Sequence, residues 1–531
     1  MSEEKRRWQR RQKVAWAAPF VLLALVGILI GLRRPWVEPV PGVRVKMTRP
    51  FVRESSLGPE SAYRLLLEAI EPPIGVEEPV SGGAMGGPDS APPTARKREK
   101  VWQHGWTDAL EKFPVHPWPR QPPPKRKRGR TGGPGETGKN TTGISPRGPW
   151  TLAQYRDIQR RRELYEPKLA ILDRALAAPN PQVPTVDSCD FLLPYLSKVR
   201  EMARWLSASA QCRAAEGDAD GARKDIERML DMADVVCRGG CLINHLVGIA
   251  CDAIAAGLTW HLATRRELPI PILRKLAHSF LAHADGAEPF VEAIRSEALA
   301  VPSLVPELYR KGSFDFLTGG PSAVPEPLKK SAFAVAFLAG STPTATTANL
   351  EACYQHLVAI AGKPYSAKTE GEYGEFLAET FSSRRSTMQI VLRTKDPVGH
   401  ILASMLLPAL ERAHSKAAQR DAILRGMALF LAVQAYEAEH GAPPERLNQL
   451  VPEYLPRVPN DPFDGKPFRY LPGSVPGLPP KAWAVYSIGQ DFSDGGGKAQ
   501  SVGSPRNGRT TNPDLVWPSQ DYPKAPAAGA K

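Results

Sequence analysis

Residues 14–32, VAWAAPFVLLALVGILIGL, run for nineteen positions without a charged side chain. No other stretch limits the fold as strongly, because an apolar rod of that length has to leave water. As a helix rising about 1.5 Å per residue it reaches roughly 28 Å, close to the thickness of a bilayer's hydrocarbon core. Pro19 falls near its start, where a helix tolerates a missing N–H best. Lys5, Arg6, Arg7, Arg10, Arg11 and Lys13 precede the run, and Arg33 and Arg34 follow it directly. Those flanks suit a membrane segment better than a buried core helix. The run ends ILIGLRRPW, without the small-x-small pattern of a signal-peptidase site, so an uncleaved single-pass anchor is predicted. The denser basic cluster lies on the N-terminal side, which predicts an inside N-terminus and a body on the exported, periplasmic side.

The formal charge of +14 raises the question of nucleic acid. Residues 1–13 hold six Lys/Arg and two Glu, giving +4, and residues 95–150 hold thirteen Lys/Arg and four Asp/Glu, giving +9. Together they carry +13 of the +14, leaving the rest of the chain nearly neutral. A DNA-binding domain displays its basic patch on a folded face, so specific nucleic-acid binding is not expected. The 54 prolines are about twice the usual share. Many fall in residues 74–150, where SGGAMGGPDSAPP and PRQPPPKRKRGRTGGPGETGKN leave no apolar periodicity. That segment reads as a disordered basic insert.

The predicted order is a basic tail (1–13), the anchor (14–32) and a juxtamembrane segment with a short helix ending before Pro72 and Pro73 (33–73). The insert (74–150), a helical domain (151–300), a loop region with further helices (301–420), a C-terminal α+β module (421–497) and a disordered tail (498–531) follow. Stretches such as FLLPYLSKVREMARWLSASAQCRAAEG and HLVGIACDAIAAGLTWHLATRRE carry apolar stripes at helical spacing. Gly217 and Asp218 punctuate a helical hairpin there. No 34-residue period emerges, so a loose antiparallel helical array is expected rather than a regular repeat.

Several residue sets invite chemistry. Six cysteines, 189, 212, 237, 241, 251 and 353, allow up to three disulfides in an oxidising compartment and require none. Cys237, Cys241 and His245 fall at i, i+4 and i+8, one face of a continuous helix, but lack the ligand pairs of a zinc fold. Small buried thiols are the plainer reading. GPGETGKNT places Gly133, Gly138 and Lys139 as in a phosphate loop, yet Asn140 replaces the hydroxyl residue and no strand precedes it. His278 and His283 diverge around a helix. Asp285, Glu288, Glu292 and Glu297 would suit acid/base work only if the fold gathered them in a cleft. No motif supplies a nucleophile.

Near the C-terminus, DAILRGMALFLAVQAYEAEH (421–440) predicts a helix buried on several sides, with Gly441 as its C-cap and Pro443 and Pro444 beyond it. ERLNQLVPEYL predicts a short helix, DPFDGKPFRYL a turn leading into a strand, KAWAVYSIG a second strand and QDFSDGGG a loop. Asp461 and Asp464 are expected to bond their own backbone. The order Tyr436, Gly441, Pro444, Leu447, Leu450, then Asp461, Pro462, Gly465, Pro467, Tyr470, then Tyr486, Ser487, Gly489, Asp491, Gly495 and Gly496 resembles the C-terminal part of the major pseudopilin of type II secretion systems. The resemblance covers about 77 of 531 residues. It implies a small α+β module and calcium in the terminal loop, carried onto Asp491 and Asp494. A pilin-like chain runs its membrane helix directly into this helix, whereas here the anchor lies some 390 residues upstream, so assembly into a fibre is not implied.

The expected fold is mainly α: an N-terminal transmembrane helix, a helical-array body and a small α+β pseudopilin-like C-terminal module. The expected function is that of a membrane-anchored envelope scaffold or interaction protein with no evident catalytic site and no cofactor beyond that calcium. The alternatives are an accessory protein related to type II secretion pseudopilins and an envelope hydrolase using the carboxylates of residues 285–297. Partners are expected to be the membrane, through the anchor, and other proteins.

Overall fold

The structure, a computed structural model, describes residues 52–71, 152–185, 193–311, 341–380, 396–473, 475, 478–497 and 514–520. The basic tail, the anchor, the insert at 74–150, Cys189 and the phosphate-loop-like stretch lie outside the described residues.

The short helix expected before Pro72 is part of the body. Ser61 caps α1 (Ala62–Ile70) by accepting from Arg64 N, and α1 buries Tyr63, Leu65, Leu66, Ala69 and Ile70 as it packs against α2 (Leu152–Leu176). Lys168 Nζ on α2 donates to the Glu68 carbonyl at 2.7 Å. Val52 and Thr185 exchange two hydrogen bonds, of 2.9 and 3.2 Å. Residues 52–71 are thus tied to residues 100 or more positions away.

Two hairpins build the next layer. α3 (Tyr195–Ala215) and α4 (Ala219–Cys237) turn at Gly217, where φ is +84° and a side chain would be strained, and Asp218 caps α4 by accepting from Gly221 N at 2.9 Å. α5 (Leu242–Thr264) packs on α3 and α4 and, together with α6 (Ile270–Gly286), on the last long helix, α10 (Pro397–His440). α7 (Phe290–Lys311), α8 (Pro343–Ala361) and α9 (Ala367–Thr380) surround the N-terminal half of α10.

α10 is 44 residues long, about 66 Å at 1.5 Å per residue. Asp396 caps it by accepting from Gly399 N at 3.0 Å, and Pro397 occupies the first turn, where its missing N–H costs nothing. The helix therefore begins 24 residues before the expected boundary at 421, since 421 − 397 = 24. Its first half, from Val398 to Ala417, belongs to one hydrophobic cluster, and Ala418 to Ala435 belong to another that also holds the C-terminal module. A single rod joins the two cores. It ends at Gly441, whose φ of +74° is the left-handed cap anticipated for that glycine.

The C-terminal module is a three-stranded antiparallel sheet in the order β1 (Arg469–Leu471), β2 (Ala484–Ser487), β3 (Leu515–Pro518). Tyr470 pairs with Val485, and Val485 with Trp517. The stretch ERLNQLVPEYL forms a single 3-10 turn, Leu447–Leu450, and not the short helix expected; the proline at 452 cannot continue one. β3 corrects the tail at 498–531. Its Leu515, Val516 and Trp517 are buried. Ser519 N donates to Trp483 O at 2.8 Å, and Trp260 Nε1 on α5 donates to Pro518 O at 3.2 Å. The Trp517 ring lies over Gly426 of α10, where a Cβ would fall 2.5 Å from it. Gly426 is thus a flat seat for the indole.

α5 is long and apolar enough to cross a membrane, yet it is mostly buried among its neighbours and carries Asn244, His245 and Asp252 in the interior. It is a core helix.

Candidate functional site

Four helices meet at one buried charge cluster. Asp234 (α4), Asp252 (α5), His283 (α6) and Arg420 (α10) supply one ionisable group each, and Asp252 and Arg420 are 1 % and 2 % exposed. Arg420 Nε donates to Asp252, and its Nη2 lies 3.5 Å from Asp234. His283 places Nε2 2.9 Å from Asp252 and Nδ1 3.5 Å from Asp234. Burial alone would push the His283 imidazole down, but the two carboxylates outweigh it and hold the group up at about 9. With His283 cationic the two positive and two negative charges cancel. Such a set survives burial because no charge lacks a partner.

Above this cluster, between the body and the sheet module, lies a cleft of about 640 Å³. Its floor comes from α10, through His414, Arg420, Asp421 and Arg425. One wall is the α6–α7 junction with Glu288 and Phe290, and the other includes Tyr365 and the turn from Asn460 to Gly465. Aromatic rings run along it. His245 meets Phe290 edge-on with centroids 5.7 Å apart, Phe290 stacks on His414 at 5.0 Å, and His414 meets Tyr365 at 5.1 Å. Tyr365 in turn reaches Phe463 at 6.3 Å. Burial pushes the imidazoles of His245 and His414 down to about 3 and about 4, so both are neutral near pH 7.

The turn on the cleft's outer wall is held by its own carboxylates. Asp461 accepts from Phe463 N at 3.1 Å, Ser487 Oγ at 3.0 Å and Ile488 N at 2.9 Å, which staples the turn to the end of β2. Asp464 accepts from Lys466 N at 3.0 Å and pairs with Arg469. Both carboxylates bond their own backbone as expected.

The glycine-rich loop obeys the same logic. Asp491 accepts from Ser493 N at 3.1 Å, and Asp494 from Gly496 N at 2.9 Å and Tyr486 Oη at 3.1 Å, with Arg469 Nε 3.6 Å away. Asp514, just ahead of β3, accepts from Gly495 N and Gly497 N at 3.1 and 2.7 Å. A calcium shell needs six to eight oxygens facing one point. Here the carboxylates face N–H donors and a guanidinium. The donor set does not fit calcium, and among the described residues no group of three or more acidic, His or Cys side chains suits a metal ion.

The remaining candidates separate. Cys237 ends α4 and Cys241 precedes α5, with Gly239 at φ +78° between them, so the two cysteines and His245 do not share one helix. The glycine pair breaks the rod that their spacing had assumed. Cys212, Cys237, Cys241, Cys251 and Cys353 are buried free thiols. His278 is exposed while His283 is buried. Asp285 pairs on the surface with Arg457 at 2.6 and 2.7 Å, and Glu292 pairs with Arg295. Glu297 is half-buried on α7 against the start of α5, where it accepts from Leu242 N at 3.3 Å, and its desolvation pushes it up to about 7. Of the four carboxylates, Glu288 alone lines the cleft.

The sequence reading missed Asp234, Asp252, Arg420 and Asp421. Its available signal was a charge set inside an apolar helix, as in GIACDAIAAG and AQRDAIL, which forecasts a buried partner. Comparison with known proteins gives no family model, no curated protein and no solved structure that matches the chain.

Proposed function

We propose that this chain is a membrane-anchored envelope scaffold that binds a ligand or partner in the cleft between its body and its C-terminal module. One observation carries this reading. The cleft is walled by aromatic rings, while the strongest acid/base set nearby, Asp234, Asp252, His283 and Arg420, is spent in mutual ion pairs beneath it. Such an arrangement holds a shape and presents a surface. The hydrolase alternative asks the carboxylates at 285–297 to converge, and their separate environments do not favour it.

A second reading, an accessory of a type II secretion system, draws support from the corner geometry. Gly441 caps the long helix, and Asp461 ties its turn to β2 at Ser487, residues through which the pseudopilin resemblance runs. It predicts that secretion components copurify with the chain.

The scaffold reading is tested at the membrane. The intact chain is expected to stay in the membrane pellet after an alkaline carbonate wash, and a chain lacking residues 1–32 to appear in the supernatant. A reporter fused after Lys531 is expected to be active on the exported side only. Release of the intact chain by carbonate would overturn the anchoring.

A further inference from the structure

Helix α9 packs on α8 and α10, where it buries Thr369 and Tyr373 and partly covers Phe376 and Leu377. Tyr373 Oη and His414 Nδ1 on α10 hydrogen-bond at 3.1 Å. Three residues before each of these partners stands a glutamate, Glu370 on α9 and Glu411 on α10. That i, i+3 step sets each acid on the face of its helix that carries the bond. Both are half-buried, and among the described residues neither accepts a hydrogen bond nor forms an ion pair. Both also act on the hydroxyl of Tyr365, which precedes α9 and meets His414 edge-on at 5.1 Å. Burial raises the two carboxyls, and Glu370 raises Glu411 further against the opposing charge of Arg412. The other cations of this region are directed elsewhere. Lys363 pairs with Glu372, Lys368 and His356 act on that same carboxylate, and the His356 ring stacks on Phe376 at 4.4 Å.

We propose that α9 is a proton-controlled flap behind the cleft, held on α10 when Glu370 and Glu411 share a proton and loosened when both carboxylates are charged. Like charges in a half-buried seam repel through less solvent than they would on the surface. A shared proton replaces that repulsion with an O–H···O bond to a carboxylate. The sign follows from the shifts. Each carboxyl is raised while α9 is docked, so docking is tightest below the ordinary glutamate value of about 4.3 and weakens as pH rises through the raised values. His414 sets the lower limit, because it takes up a proton at about 4 and then no longer offers Tyr373 an acceptor nitrogen. His414 and Tyr365 both line the cleft. Loosening α9 removes the hydroxyl that holds one ring and frees the segment that carries the other. This consequence for binding rests on the cleft as the scaffold's site, whereas the flap itself does not.

Hydrogen exchange of the detergent-solubilised full chain, read by mass spectrometry from about pH 5 to about pH 8, tests the flap. Protection factors divide out the intrinsic pH dependence of exchange. For residues 369–377 they are expected to fall by about threefold or more across that range relative to the α5 interior, the effect of half a pKa unit or more. Glu370→Gln and Glu411→Gln keep the shape and remove the charge. Each is expected to abolish the fall and to hold at the alkaline end the protection that the native chain has at the acid end; if one does not fold, the other decides. Glu375→Gln, at an exposed acid of the same helix, is expected to leave the fall in place. Protection of α9 that does not change with pH, a fall that persists in the seam variants, or a fall abolished by Glu375→Gln would each overturn the proposal. The measurement needs neither a ligand nor a bilayer, so failure of the flap is separable from failure of the cleft or of the anchored-scaffold reading.

Discussion

Replacing Arg420 by alanine is expected to destabilise the body by about 3–5 kcal/mol, the cost of stranding one partner of a buried ion pair. The loss follows from position. Arg420 is the only member of the cluster on α10, and it faces the carboxylates of α4 and α5 while His283 approaches from α6. Without the guanidinium, Asp252 stays in the interior with only His283 against its charge. Urea unfolding of the full chain in detergent measures the effect as a lowered midpoint. The double variant Arg420→Met with Asp252→Leu removes both charges and fills the space, and it is expected to recover most of the loss, because a well-packed apolar pair often equals a buried ion pair. A pH series on the native chain reads the same cluster. The His283 pKa is raised in the folded state from 6.5 to about 9. Its stabilisation is therefore complete below about pH 6.5 and disappears as pH rises through about 9. His283→Gln is expected to be less stable at pH 6.5 and to lack that decline. An Arg420→Ala midpoint within experimental error of the native one would contradict the cluster's role.

Trp517→Ala is expected to cost a further 3–5 kcal/mol, the range for truncating a large buried aromatic. The indole is fully buried. It seats on Gly426, and it meets Phe468 edge-on at 6.0 Å. Its strand also receives the Trp260 indole N–H, so the damage should reach α5 as well as the sheet. Limited proteolysis is the sharper readout: the variant is expected to be cut between β2 and β3 and near Gly441 under conditions where the native chain survives. A variant as protease-resistant as the native chain would mean that residues 514–520 are dispensable.

Much of the architecture could be read from pattern. Apolar stripes placed the helices of the body, the Gly217–Asp218 turn and the Gly441 cap, because those signals are local and the backbone answers them directly. The sheet's first strand followed from the Asp464–Gly465 turn that leads into it, and the second from alternation. The third did not, because LVWP is only four apolar residues in a polar, glycine-rich stretch, and its strand forms by pairing with β2 and covering Gly426. The start of α10 was marked by the Asp396–Pro397 cap, but the charges of ERAHSK and AQRD interrupt the apolar pattern where the helix passes between two cores. The site was least legible. Its members come from α5, α6, α7 and α10 and from the Asn460–Gly465 turn, up to about 220 residues apart, since 465 − 245 = 220. Sequence spacing within one helix carries no information about such a meeting. Cys237, Cys241 and His245 show the converse, a spacing that suggested a shared face until Gly239 and Gly240 broke it.

The central claim is that the C-terminal module and the helical body are one cooperative unit around a shared cleft. Native-state hydrogen exchange tests it most directly. Amides of Ala484–Ser487 and Leu515–Pro518 are expected to open with the same free energy as the interior of α5 and the second half of α10, rising and falling together as denaturant is added. Exchange of the sheet amides through a separate, lower-energy opening, with α5 and α10 still protected, would contradict it.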